Sequence, residues 1–349
     1  MFPAGIQKTS ANRKDLSMKS ILMGGNALFQ VYSPEIIDFL QKNAELVIQP
    51  VSKKEILQAP ETYADTAYIF TTWGMDHFTQ EEIRRCLPKL KAVFYGAGSV
   101  QYFAREFLNS GVRVFSAWGA NAVPVAEYTV AQILLANKGF FQACSRFISQ
   151  ETRANAAAYF GSMPGNYGCN VGIIGAGMIG KMVIRRLADY NLNVLVYDPF
   201  LSDEAAKELK ATKVSLEDLF SSCQTISNHV ANLPQTVGML NAACFQKMKK
   251  NATFINTGRG AQVVEKDLIA VLKQNPDMTA VLDVTDPEPP EADSELYTLP
   301  NVFLTPHIAG SAGQEVARMG EYMKDQFIKV QQNAPCEYEV TLKMLETMA

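Results

Sequence analysis

The chain has 349 residues, more than a single hydrophobic core usually supports, so two domains are expected. Its composition, 48% hydrophobic and 19% charged with no 18-residue apolar run, is that of a globular protein rather than of a helical membrane protein. A formal net charge of -3, with no basic cluster larger than Arg84-Arg85 or Arg185-Arg186, offers no electrostatic footprint for nucleic acid or acidic lipid.

The opening segment through Ser20 lacks the charged start and apolar stretch of a secretory signal. Six scattered cysteines (Cys86, Cys144, Cys169, Cys223, Cys244 and Cys336) form no CxxC pair and have no histidine at metal-ligand spacing. They read as reduced, mostly buried thiols in a cytoplasmic protein with no metal site.

From Ser20, short apolar runs alternate with helix-length segments: "ILMGG", "SPEIIDFLQKN", "LVIQP", "KKEILQ", "AYIFTT", "TQEEIRRCL", "KAVFYG", "YFAREFLNSG", "RVFSA". That alternation predicts an α/β domain with a parallel sheet. A long helix is expected over "NAVPVAEYTVAQILLANKGFFQACSRFISQ", introduced by Asn121 and Pro124, and an irregular segment from Ala156 to Asn170 follows. A second alternating series then runs through "VGIIG", "MIGKMVIRRLADY", "NVLVYDP", "DEAAKELK", "QTISNH", a helical Thr236 to Lys249, "ATFINTG", "EKDLIAVLKQ", "TAVLDV" and "NVFLTPH". A last helix is expected from about Ala312 to Gln332.

The second series opens on a dinucleotide fingerprint. Gly175, Gly177 and Gly180 fit GxGxxG between an apolar strand and an amphipathic helix. The first glycine permits the tight turn, the second lets backbone approach a pyrophosphate, and the third allows the helix to pack on the strand. Helix-start amides then face the anion. Asp198, 18 residues beyond Gly180 at the end of "VLVYD", suits the ribose hydroxyls and would repel a 2'-phosphate, which selects NAD over NADP.

Three further strand ends carry polar residues that packing does not require: Arg259 in "FINTGRGAQVV", Asp283 and Glu288 in "AVLDVTDPEPP", and His307 in "LTPHIAG". Ligands of open α/β sheets bind at such ends. In the first domain, the amides around Gly98 and Ser99 in "FYGAGSV" either form an anion nest or close a plain glycine turn. Trp73 in "TTWGMD" either shapes a pocket or packs half-buried, and His77 receives no role.

With "KAVFYGAGS", "NAVPVAEYTVAQILLANK", "GIIGAGMIG", "INTGRG", "LDVTDPEP" and "TPHIAG" in this order, the sequence resembles the D-isomer-specific 2-hydroxyacid dehydrogenases. The resemblance implies two Rossmann or flavodoxin-like, doubly wound parallel-sheet domains facing each other across a cleft. The substrate-binding domain would be discontinuous (1–117 and 311–349), with an NAD-binding domain (118–310) between its parts. It implies a catalytic trio of Arg259, Glu288 and His307. A 2-oxo acid needs a proton at its carbonyl oxygen as hydride reaches the carbon, and His307 can supply it. Glu288 would fix the ring tautomer, while the planar fork of Arg259 pairs with the substrate carboxylate.

By the same resemblance, Met178 and Ile179 offer amides to the pyrophosphate, and His229 and Val230 touch NAD mainly through backbone. Thr257 and Gly258 lie beside the nicotinamide, Asp283 near its amide, and the Gly98–Ser99 loop holds the substrate carboxylate. Gly258 stands where alanine is commoner and is expected to loosen that turn, and "GAGSVQYF" lacks an acidic residue often found there. The implied substrate is a small 2-oxo or 2-hydroxy acid such as hydroxypyruvate or glyoxylate, and the implied assembly a homodimer. Two other readings share the fold: an NAD(H)-sensing binding protein of corepressor type, and a formate dehydrogenase-like enzyme, against which Glu288 in place of glutamine argues.

Overall fold

The computed structural model describes residues 18–348, so the opening segment that was read for a secretory signal lies mostly outside the described residues. The chain divides into two compact units. Unit 1 comprises the described chain up to Trp118 together with Gln314–Leu345, and unit 2 comprises Gly119–Gly313 with the residues from Glu346. The strands in chain order are β1 (Ser20–Met23), β2 (Leu46–Val47), β3 (Tyr68–Thr71), β4 (Ala92–Tyr95), β5 (Arg113–Ser116), β6 (Tyr167–Ile174), β7 (Asn191–Tyr197), β8 (Thr212–Lys213), β9 (Thr225–Asn228), β10 (Thr253–Asn256), β11 (Thr279–Leu282), β12 (Val302–Leu304) and β13 (Glu339–Val340).

Unit 1 holds a six-stranded sheet in the order β13-β5-β4-β3-β1-β2, parallel except for β13, which pairs antiparallel with β5. Its central strands are buried from end to end, as parallel strands covered on both faces must be. Phe70, Phe94 and Phe115 on adjacent strands stack at centroid distances of 5.0 Å. Phe327, from the helix Glu315–Gln331, meets Phe70 and Phe94 edge-on at 5.5 and 5.8 Å.

Unit 2 holds a parallel seven-stranded sheet in the order β12-β11-β10-β9-β6-β7-β8. Side chains alternate across a strand, and two separate cores follow from that period. Ile173, Val196, Ile255 and Val281 join one cluster, while Ile174, Ile226, Phe254 and Leu282 join the other. Strand order reverses at β6, between β7 on one side and β9 on the other, and this is the switch point where ligands of doubly wound sheets bind. Both units are therefore of the doubly wound α/β class.

Several local expectations are corrected. The long helix starts at Trp118, earlier than Asn121, and stops at Asn137; a separate helix, Phe140–Arg146, follows the left-handed Gly139 (φ 69°). Pro124 lies inside the helix, and Asn121 accepts a hydrogen bond from the Ser311 amide (3.0 Å). The segment expected to be irregular, Ala156 to Asn170, takes in the second half of the helix Arg153–Phe160 and the start of β6. Between Thr236 and Lys249 only Ala242–Phe245 is helical, because Leu240 leaves the helical path to bridge Val263. Of the six cysteines, all free, only Cys86, Cys169 and Cys223 are buried.

Candidate active site

The glycine-rich turn follows β6. Gly175 adopts φ +89°, and a Cβ there would lie 2.8 Å from the Val230 amide nitrogen and 2.9 Å from the His229 carbonyl. The turn thus lies directly against the loop after β9, at the switch point. A Cβ on Gly180 would overlap the Gly175 carbonyl oxygen, so the helix Met178–Leu187 can seat on the turn only with glycine there. A Cβ on Gly177, by contrast, would meet nothing within 4 Å. That open space sits beside the first amides of a ten-residue helix, Met178 and Ile179, and fits a pyrophosphate.

Asp198, at the end of β7, faces the same turn. One carboxylate oxygen accepts from the Ala176 amide (2.7 Å), and the other from the amides of Phe200 (2.8 Å) and Leu201 (3.2 Å). The residue read as a ribose acceptor therefore also anchors the glycine turn to β7.

His229 points inward. Its Nε2 lies 2.9 Å from Ser227 Oγ and its Nδ1 3.5 Å from Thr257 Oγ1, and burial pushes its pKa down to about 3, so the ring is neutral. What it leaves at the Gly175 turn is backbone, as does Val230. Thr257, buried after β10, also contacts Thr129 Oγ1 at 3.3 Å.

Arg259 follows in an extended conformation (φ -141°, ψ 151°) before the short turn Gly260–Gln262. Its Nη1 donates to the Gly258 carbonyl (2.7 Å). Burial pushes the guanidinium pKa below its ordinary value, and the Glu288 carboxylate opposes that shift.

His307 ends the turn after β12 with φ +55°, left-handed for a residue with a side chain. Its Nδ1 lies 2.7 Å from Glu288 Oε1, and both side chains are a little over two-fifths exposed. That contact occupies Nδ1 and leaves Nε2 as the ring atom able to face a substrate. Asp283, buried at the end of β11, accepts from Thr305 Oγ1 (2.7 Å) and from the amides of Ile308 (2.8 Å) and Ala309 (2.9 Å). The structure thus gives Asp283 a task the sequence did not show, holding the loop that carries His307.

Sequence reasoning also missed Asn228, Asn256 and Gln262, which are fully buried and bonded to one another beneath Arg259. Asn228 and Asn256 stand as amides at the ends of the strand runs "TISN" and "TFIN", whereas Gln262 in "GAQVV" carried no such signal. Gly258 does not loosen its turn, because its amide is bonded to Asn256 Oδ1 (3.1 Å). In unit 1, Gly98 and Ser99 are half-buried after β4, where the Ser116 hydroxyl lies near the carbonyls of Ala97 (3.0 Å) and Gly98. Trp73, after β3, is 39% exposed, and its carbonyl accepts from the Gly25 amide (2.7 Å). Among the described residues no cluster of metal-ligating side chains occurs, and no helix is long and apolar enough to cross a membrane.

Comparison with known proteins agrees with this architecture. The sequence model for the D-isomer specific 2-hydroxyacid dehydrogenase, NAD binding domain, matches residues 130–309. The chain is 29% identical over 327 residues to a D-3-phosphoglycerate dehydrogenase of Archaeoglobus fulgidus, covering 90% of this chain and 58% of that protein. It is 30% identical over 282 residues to a glyoxylate reductase of Korarchaeum cryptofilum, covering 80% and 83%. The chain thus spans little more than half the length of the phosphoglycerate dehydrogenase. Among solved structures, apo D-mandelate dehydrogenase of Rhodotorula graminis superimposes with a TM-score of 0.77 at 23% identity, covering 93% of this chain and 98% of that one. The chain belongs to the D-isomer specific 2-hydroxyacid dehydrogenase family, and residues 130–309 are its NAD-binding domain.

Proposed function

We propose that the chain is an NAD-dependent oxidoreductase that interconverts a small D-2-hydroxy acid and its 2-oxo acid, with His307 as general acid and base. The observation that carries this reading is the 2.7 Å contact between His307 Nδ1 and Glu288 Oε1, on a strand-end loop of the sheet that also presents Arg259. Names of similar proteins, D-3-phosphoglycerate dehydrogenase and glyoxylate reductase, agree with a small oxo acid.

NAD(H), when bound, takes up or supplies the hydride. Gly177 leaves room for its pyrophosphate beside the amides of Met178 and Ile179, and Asp198 accepts from the ribose. Val230 and His229 offer backbone, while Thr257, Gly258 and Asp283 border the nicotinamide. Arg259 pairs its planar fork with the substrate carboxylate and polarises the carbonyl. In reduction, His307 gives the proton on Nε2 to the carbonyl oxygen. Glu288, accepting from Nδ1–H, keeps the neutral ring in the tautomer whose bare Nε2 is the base for the reverse direction. The Gly98 and Ser99 amides and Trp73 of unit 1 are assigned to the substrate.

The reading places the protein in the cytoplasm, where its six free thiols stay reduced. It also takes the protein as a homodimer, supported by Phe140, Phe147 and Phe160, which unit 2 exposes. Light scattering on the purified chain tests the assembly. The function is tested by following NADH oxidation with a panel of 2-oxo acids, His307→Ala in parallel. Turnover of one acid that vanishes in the variant is expected. Tight NADH binding with no turnover of any acid would instead favour a sensing protein.

A further inference from the structure

Three buried amides join the loop after β9 to the loop that carries Arg259. Asn228 Nδ2 donates to Asn256 Oδ1 (3.0 Å) and to Gln262 Oε1 (2.6 Å), while Asn228 Oδ1 accepts from the Val230 amide (3.3 Å). Asn256 Oδ1 also accepts from the Gly258 amide (3.1 Å), and its Nδ2 donates to the Arg259 carbonyl (3.1 Å). Gln262 Oε1 accepts from the Arg259 amide (3.2 Å), and its Nε2 donates to the Val230 carbonyl (2.8 Å). The three side chains are at most 1% exposed, and every polar atom they carry is bonded. Burying three amides is costly unless all their bonds are made, and once made those bonds define a single arrangement.

We propose that this cluster, with Gln262 at its centre, is the positioning element that aims the Arg259 guanidinium at the substrate carboxylate; the proposal rests on the function given above. The decisive link is one peptide plane. The amide of the Gly258–Arg259 peptide donates to Gln262 Oε1, and the carbonyl at the other end of that rigid plane accepts from Arg259 Nη1 (2.7 Å). Gln262 therefore sets the plane, and the plane holds the guanidinium. Amides suit the task because they both donate and accept without burying a carboxylate beside the arginine.

Gly258 belongs to the same device. A Cβ there would lie 2.9 Å from Gln262 Oε1, which would have to shift, and 3.0 Å from Asn228 Nδ2, which would have to give by a few tenths of an ångström. The glycine at this position is the space that the amides require.

The test uses the full chain with Gln262→Met, Asn256→Ser and the double variant. Three quantities are read by calorimetry and thermal melting: NADH affinity, affinity of the NADH complex for oxamate (an unreactive 2-oxo acid analogue), and Tm. Gln262→Met is expected to weaken oxamate at least tenfold while NADH changes less than threefold. Asn256→Ser should do the same, and the double variant should fall short of the sum of the two singles, since both side chains belong to one bonded cluster. Oxamate affinity kept within threefold in Gln262→Met, or oxamate and NADH weakened equally, overturns the proposal. Should Gln262→Met fail to fold, Asn256→Ser decides by the same ratio. An unaltered chain that neither binds oxamate nor turns over any acid sinks the functional reading, and this proposal with it.

Discussion

Asp283 holds His307 and the two residues after it by three consecutive amides: its carbonyl accepts from His307 N (3.0 Å), and its two carboxylate oxygens accept from Ile308 and Ala309. This clamp sustains the left-handed turn that a histidine would not adopt unaided. Asp283→Ala keeps the carbonyl that holds His307 N but leaves the amides of Ile308 and Ala309 and the Thr305 hydroxyl without their acceptor. A loss of about 3 kcal/mol in stability is expected, with kcat falling by about 10²-fold. Thermal melts beside single-turnover rates check it, and a variant with unchanged kcat would show that the clamp does not serve the histidine.

Two glycines of one fingerprint should fail in different ways. Gly177→Ala points its methyl into open space, so Tm should hold within a degree or two while NADH affinity drops about tenfold. Gly180→Ala drives its methyl into the Gly175 carbonyl, so folded yield should fall instead. Differential scanning fluorimetry with and without NADH separates the two outcomes.

His229 makes a statement about acid stability. Burial pushes its folded pKa down to about 3 from an ordinary 6.5, so the unfolded chain takes the proton first as pH falls. Its contribution is fully present above pH 6.5 and is lost progressively between 6.5 and about 3. The slope is about 1.4 kcal/mol per pH unit well inside that window. Urea unfolding between pH 6.5 and 5, above the range of ordinary carboxylates, should show that slope in the native chain and a flatter one in His229→Gln.

For the chemical step, His307→Asn should lower kcat by about 10²–10⁴-fold with NADH affinity retained. Glu288→Gln can still bond Nδ1 but without charge, and a loss of about tenfold in kcat is expected. A Glu288→Gln enzyme as fast as the native one would remove Glu288 from the mechanism.

Most of the strand and helix alternation was legible because parallel strands write continuous apolar runs and the helices carry an amphipathic period; "AYIFTT" and "EKDLIAVLKQ" were read nearly to their ends. Thr236 to Lys249 was misread because helix formers say nothing of the bridge that draws Leu240 to Val263. The antiparallel β13 has only two residues, too few for a period. Among the proposed site residues, glycines, arginine and histidine stood out by type and place, whereas Gln262 and Asn228 acquire meaning only through partners far along the chain. Asp283 was picked out by its strand end, yet its partners 22 to 26 residues onward were not readable.

The two-part composition of unit 1 has a consequence for biosynthesis. Its strands β1 to β5 leave the ribosome nearly 200 residues before the helix Glu315–Gln331 that brings Phe327 onto Phe70 and Phe94. At about 5–20 residues per second, the nascent chain carries that aromatic face uncovered for roughly ten seconds or more. During this interval all of the Gly119–Gly313 portion of unit 2 is made. A chain that stalls near Gly313 would therefore display a folded nucleotide domain tethered to an adhesive, half-covered sheet, which is a substrate for chaperones and proteases rather than a smaller working protein.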